Sequence, residues 1–233
     1  MRTAKRAQNR ALDDADRVIA WQAASLLLGY PDERLLERRP LLRRVASELP
    51  AAVGGPLGRI LDHLDATPPP ELAAEYVATF DHRKRCCLYL TYYAHGDTRE
   101  RGRALLRFKT AYREAGLVLE DGELPDHLSV VLEFAATGDP ETGRRLLTEH
   151  RAGLELLRLA LTDAASPWGA VLEAVSATLP PLAGNDREAV FRLAAEGPPE
   201  EEVGMEPYGG PVLLPEPKIR TGAGPAVRRG ARA

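Results

Sequence analysis

The fold class predicted from the sequence is an all-α, single-domain helical bundle with a flexible C-terminal tail, on three observations. Hydrophobic residues make up 44% of the 233 but aromatics only 6%, so Leu, Ala and Val must fill the core, as bundles allow. Apolar positions recur at three- and four-residue spacing between Pro and Gly stops, and no stretch alternates as a half-buried strand does. Beyond Gly197, seven Pro and six Gly fall in the last 36 residues, with few large apolar groups to offset the entropy of ordering. The expected organisation is a basic N-terminal arm over 1–13, a helical domain over 14–197 and a disordered tail over 198–233, in which Met205 to Leu214 is a patch able to dock back.

The helices follow in order. DRVIAWQAASLLL puts Val18, Trp21, Ser25 and Leu28 on one face, and Gly29 with Pro31 supplies the stop, Gly29 in a left-handed conformation. A second helix over 32–49 is broken or kinked at Pro40 and ends at Pro50. Gly54, Gly55 and Pro56 read as a loop before a short amphipathic segment with Leu57, Ile60, Leu61 and Leu64. Pro68 to Pro70 start a helix that runs to Phe80. Two helical pieces come next. In the first, Cys86, Leu90 and Tyr93 share a face and Tyr89 pairs with Tyr93. His95-Gly96-Asp97 then breaks the period, Asp97 with Glu100 resembles a capping box, and the second piece ends at Gly116. After a loop at Glu120 to Glu123, Pro125 is expected in the first turn of a helix whose stripe is Leu128, Val131, Leu132 and Ala135. Asp139-Pro140 opens the longest helix, with Leu147, His150, Leu154, Leu157 and Leu161 on its stripe and His150 as a packed or boundary residue. Ser166-Pro167-Trp168 starts another helix, stopped at Pro180, and Asn185 with Glu188 caps a last one, stopped at Gly197.

Charge narrows the function. The first ten residues carry four cations without an acid and 218–233 carry five, so removing these nine from the formal −3 leaves −12 between them. An acidic body is a poor footprint for nucleic acid. No stretch approaches the 18 apolar residues of a membrane span and no secretory leader fits the N-terminus, so a cytoplasmic protein without direct membrane insertion is expected. The only cysteines, Cys86 and Cys87, are adjacent, which disfavours a disulfide scaffold and fits a reducing compartment.

Tyr76 to Lys109 holds six of the thirteen aromatics, both cysteines and the densest basic run. His82 and Cys86, four apart, with Cys87 and His95 nearby, raise a metal site, but zinc prefers thiolates two to four residues apart. A thiol nucleophile would need a lowered pKa, which Arg83, Lys84 and Arg85 could supply, yet no thiol-enzyme signature accompanies it. Arg99, Arg103 and Arg107 form a basic column that reads as a solvated face or as a surface for an acidic partner. At Asp126-His127 the dipole of a following helix favours the acid and disfavours a charged imidazole, so a neutral, hydrogen-bonded His127 is expected.

The run FDHRKRCCLYLTYYAHGDTRERG, followed by ELPDHL (123–128), VLEFAA (131–136) and, upstream, LLLGYPDE, resembles the delta-chain (NarJ) family of respiratory nitrate reductase assembly chaperones. The Pro125-Asp126-His127 element resembles the hinge motif of the wider TorD-related redox-enzyme maturation chaperones. The resemblance implies an all-helical bundle of the TorD/NarJ type and a non-enzymatic chaperone without a cofactor of its own. It would bind the N-terminal segment of the apo catalytic α subunit of nitrate reductase and hold it competent for molybdenum cofactor insertion and complex assembly, as a monomer or weak dimer. It also implies a peptide-binding set of Phe80, Asp81, Arg83, Arg85, Tyr89, Tyr92, His95 and Asp97, with Pro125, Asp126 and His127 as hinge or groove edge. A client segment burying about 600 Å² of apolar surface would gain roughly 15 kcal/mol gross, most of it cancelled by ordering and association costs. A chaperone for another molybdoenzyme and a Cys/His metal-binding protein are the alternatives.

Overall fold

In the computed structural model, which describes residues 10–119, 122–182 and 184–196, the chain is all-α. Expectations for the rest of the N-terminal arm, for Glu120 and Asp121, for the Gly197 stop and for the tail, Met205 to Leu214 included, lie outside the described residues. So does the Asn185 side chain on which the last cap was expected. The helices are α1 (Asp14–Leu27), α2 (Glu33–Glu48), α3 (Ala51–Ala66), α4 (Pro69–Phe80), α5 (Leu90–His95), α6 (Arg99–Glu114), α7 (Leu128–Thr137), α8 (Pro140–Glu149), α9 (Arg151–Asp163), α10 (Gly169–Thr178) and α11 (Gly184–Glu196), with a 3-10 turn at Lys84–Cys86. No described helix is long and apolar enough to cross a membrane.

Helix α1 is central, packed against α2, α7 and α10. It starts at Asp14, four residues before its apolar stripe, because Asp13 and Asp16 form a reciprocal capping box, with Arg10 bonded to the buried Asp16 carboxylate. Its Trp21 is 2% exposed and donates Nε1–H to Thr178 Oγ1 at 2.8 Å, fixing α1 to α10. Ser25 donates to the Ser129 carbonyl at 2.8 Å and so joins α1 to the start of α7. The stop after α1 falls where expected, but Gly29 is not among the positive-φ glycines. Its amide simply closes a turn on the Leu26 carbonyl. Pro40 sits inside an uninterrupted α2.

Further expectations are corrected. Gly54, Gly55 and Pro56 lie inside α3, not in a loop. A Cβ on Gly54 would stand 2.1 Å from the Ala46 carbonyl oxygen, so the glycine serves the close crossing of α2 and α3. Gly54→Ala is therefore expected to cost about 1–3 kcal/mol through overpacking, read as a lowered urea midpoint at unchanged m. The longest helix is two, α8 and α9, joined at His150 with φ −101° and ψ 21°. A Cβ on Gly143 of α8 would lie 2.4 Å from the Ala135 Cα, and one on Gly153 of α9 would lie 3.1 Å from the Tyr93 side chain. The two halves seat on α7 and on α5, and the bend at His150 lets both do so. Asp97 does not cap α6; the cap residue is Thr98, without a side-chain cap bond, and Asp97 pairs instead with Arg101 at 3.0 Å. Finally, residues 87–89 are extended, so Cys86 and Tyr89 are not on one helix with Tyr93, and Pro125 lies in a turn, with α7 starting only at Leu128.

Candidate functional site

The extended residues after the 3-10 turn meet the turn before α7. Tyr89 and His127 form an isolated antiparallel bridge, closed by Leu90 N–H donating to the Asp126 carbonyl at 3.0 Å and Leu128 N–H donating to the Leu88 carbonyl at 2.8 Å. Two buried tyrosines hold the halves. The Tyr93 hydroxyl lies 3.0 Å from the Arg85 carbonyl and 2.9 Å from that of Cys87, and the Tyr112 hydroxyl donates to the Pro125 carbonyl at 2.5 Å. Burial raises both phenols well above their ordinary value, Tyr112 with a further push from Asp126, so both remain proton donors.

Side chains make a polar knot at this junction. Asp126 is fully buried, and its Oδ2 accepts from Thr91 Oγ1–H at 2.6 Å and from Thr91 N–H at 3.2 Å. Arg101 of α6 donates Nε–H to the same Thr91 hydroxyl at 3.3 Å and Nη1–H to Asp97 at 3.0 Å, and its Nη2 lies 3.8 Å from Asp126 Oδ2. The guanidinium also sits 5.3 Å from the centre of the Tyr89 ring, whose flank meets the His127 imidazole edge-on at 5.3 Å. His127 Nδ1 is 2.6 Å from Ser129 Oγ, and burial lowers its pKa against the pull of Asp126, as a neutral imidazole requires.

His150 behaves alike: its Nδ1 is 2.9 Å from the Leu146 carbonyl, its ring is 5.0 Å from that of Phe108, and burial lowers its pKa. A histidine held neutral binds fewer protons folded than unfolded. The stability it confers is complete above the unfolded value of about 6.5 and declines as pH falls from there through the folded pKa. Urea midpoints are expected to fall between pH 7.5 and 5.5, and the His150→Asn variant should lose part of that slope. An unchanged slope would show that His150 contributes none of it.

Of the expected peptide-binding residues, Tyr89, Asp97, Pro125, Asp126 and His127 converge at this junction. Tyr92 is half-buried beside Tyr93 at 6.1 Å, and His95 ends α5, where Gly96 takes φ +54°. Arg83 and Arg85 are exposed around the 3-10 turn. Asp81 is exposed at the end of α4, and the Phe80 ring lies 4.8 Å from Tyr76 and 5.6 Å from Trp168, on another aromatic cluster. Arg101, Thr91 and Ser129 were not anticipated. The four-residue spacing of Asp97 and Arg101 was the available signal for the first. Burial raises the thiol pKa of Cys86 and Cys87, so neither is an activated thiolate, and Cys87 Sγ accepts from the Tyr89 amide at 3.4 Å. Among the described residues no three His, Cys, Asp or Glu side chains are placed to hold a metal ion. The arrangement is a Tyr89–His127 pair backed by a buried carboxylate and its arginine.

Residues 46–173, which include this whole junction, match the family described as the nitrate reductase delta subunit. The chain belongs to that family. Among delta-subunit relatives, a Bacillus subtilis protein bearing the name of a nitrate reductase molybdenum cofactor assembly chaperone, NarJ, is 31% identical over 169 residues, covering 72% of this chain and 92% of its own. The Escherichia coli nitrate reductase molybdenum cofactor assembly chaperone NarJ is 35% identical over 115 residues, 48% of this chain and 49% of its own. The nitrate reductase-like protein NarX of Mycobacterium tuberculosis is 47% identical over 164 residues, 69% of this chain, which spans only 24% of that relative's length. The fold resembles the crystal structure of a protein assigned to redox enzyme maturation in Archaeoglobus fulgidus, with TM-score 0.52 and 26% identity over 68% of this chain and 91% of that one.

Proposed function

We propose that this delta-subunit family member is a cytoplasmic assembly chaperone, not an enzyme, which binds the apo catalytic α subunit of respiratory nitrate reductase through its N-terminal segment. It keeps that subunit competent for molybdenum cofactor insertion and complex assembly, acting as a monomer or weak dimer. The observation that carries this reading is the family match over 46–173, together with relatives named as nitrate reductase molybdenum cofactor assembly chaperones. The geometry supports it: Tyr89 and His127 offer an amphipathic wall, and Asp97 is tied to it through Arg101, while Arg83 and Arg85 are exposed in the segment just before Tyr89.

Calorimetric titration with the N-terminal peptide of the α subunit from the same genome tests the proposal. Saturable heat is expected, and Tyr89→Ala or His127→Ala should weaken binding about tenfold or more, with the helical circular dichroism of the free protein retained. Two folded variants that bind like the parent would sink the site. No heat and no competition with the parent protein would sink the client. The likeness to a redox enzyme maturation protein favours one second reading, a different molybdoenzyme as client, which co-purification from cells lacking the nitrate reductase α subunit would reveal.

A further inference from the structure

We propose that Arg101 is a positioning residue of the client site: it neutralises the buried Asp126 and, through Thr91 and the face of Tyr89, sets the Tyr89–His127 wall in its binding form. The inference rests on the proposed function for its client arm only.

The hydrogen bonds run in one direction. Arg101 Nε–H donates to Thr91 Oγ1, and the single hydroxyl proton of Thr91 is then committed to Asp126 Oδ2. Guanidinium, hydroxyl and carboxylate thus form a chain from α6 through the start of α5 to the turn before α7, with no alternative rotor for the hydroxyl. Asp126 is fully buried, and Arg101 is the cation the structure places within 4.0 Å of it. The Arg101 side chain, 17% exposed, is also held by Asp97, which is 75% exposed at the rim. One Arg101 nitrogen, Nη2, and one Asp126 oxygen, Oδ1, are buried without a hydrogen-bond partner. The knot therefore depends on charge pairing more than on a full set of hydrogen bonds.

The consequence is geometric as well as electrostatic. The guanidinium stands over the Tyr89 ring, opposed on another side by His127, so the ring's orientation depends on both neighbours. A lysine at 101 would keep a charge but cannot donate to Asp97 and Thr91 from two separate nitrogens, place a third 3.8 Å from Asp126 and still hold a planar cation over the Tyr89 ring.

Three variants test this. Arg101→Lys is expected to remain folded and to bind the α-subunit N-terminal peptide at least tenfold more weakly. Arg101→Met alone leaves a buried carboxylate and is expected to lose stability. The double variant Arg101→Met with Asp126→Asn should regain stability without regaining affinity. If the double variant, or Arg101→Lys, binds as the parent does, Arg101 is structural only and the inference is overturned. A second readout does not need the client: the NMR resonances of the His127 ring protons, which feel the Tyr89 ring, should move in Arg101→Lys. Unmoved resonances would also overturn the proposal. Should the parent protein itself fail to bind the peptide, the proposed function falls, while these resonances still decide the role of Arg101.

Discussion

Asp126→Ala is expected to lower stability by about 3–5 kcal/mol, the usual cost of removing one partner from a buried ion pair. The carboxylate is fully buried, and its loss strands two donors at once, the Thr91 amide and the Thr91 hydroxyl, in a site with no solvent contact. It also leaves the Arg101 cation, 17% exposed, with only the rim carboxylate of Asp97. Asp126→Asn should be milder, because an amide oxygen still accepts from Thr91 while the charge is lost. The order expected in urea denaturation is parent, then Asn, then Ala. A loss under about 1 kcal/mol for alanine would mean that the pair is screened like a surface one. The backbone bonds of Leu90 and Leu128 remain in either variant, so the bridge itself should persist in the folded molecule.

What could be read in advance divides along a physical line. Stripes such as Leu128, Val131, Leu132 and Ala135 were legible because a helix's buried face is a local periodicity. The His95-Gly96-Asp97 break was legible because Gly96 holds a positive φ that the sequence advertises. Gly54 was misread since glycine signals loops locally, whereas its purpose here is set by the Ala46 carbonyl of another helix. Residues 87–89 have apolar spacing that suits a helix, and only pairing with His127, 38 positions on, makes them extended. Arg101 stands outside the column of Arg99, Arg103 and Arg107 that the helical spacing picks out. Its role comes from a turn 25 positions later, and no rule of spacing on α6 carries that information.

Convergence at the site has the same origin. Tyr89, Asp126 and His127 were grouped by resemblance, and the structure joins them through one antiparallel bridge. Thr91 and Ser129 escaped because a hydroxyl is unremarkable in sequence. Here one accepts from Arg101 and donates to Asp126, and the other faces the imidazole at 2.6 Å while its carbonyl accepts from Ser25 of α1. The wall is thus braced from the central helix, so the proposed client would meet a preformed surface.

Trp168→Ala should match Asp126→Ala in stability cost, about 3–5 kcal/mol, but leave the proposed client site intact. The indole is 1% exposed at the start of α10, with the rings of Tyr76 and Phe80 each 5.6 Å away and His63 at 6.4 Å, so its removal opens a cavity among α3, α4 and α10. None of these rings belongs to the Asp126 knot, and sites without shared partners are expected to act independently. Peptide affinity of the folded variant, titrated well below its melting temperature, should equal the parent's. Phe80 is the discriminating neighbour, because it was grouped with the peptide-binding residues while its ring packs in this second cluster. If packing is its role, Phe80→Ala will follow Trp168→Ala, losing stability and keeping affinity. If Phe80→Ala instead keeps stability and loses affinity, the recognition surface extends along α4 and the two clusters form one site.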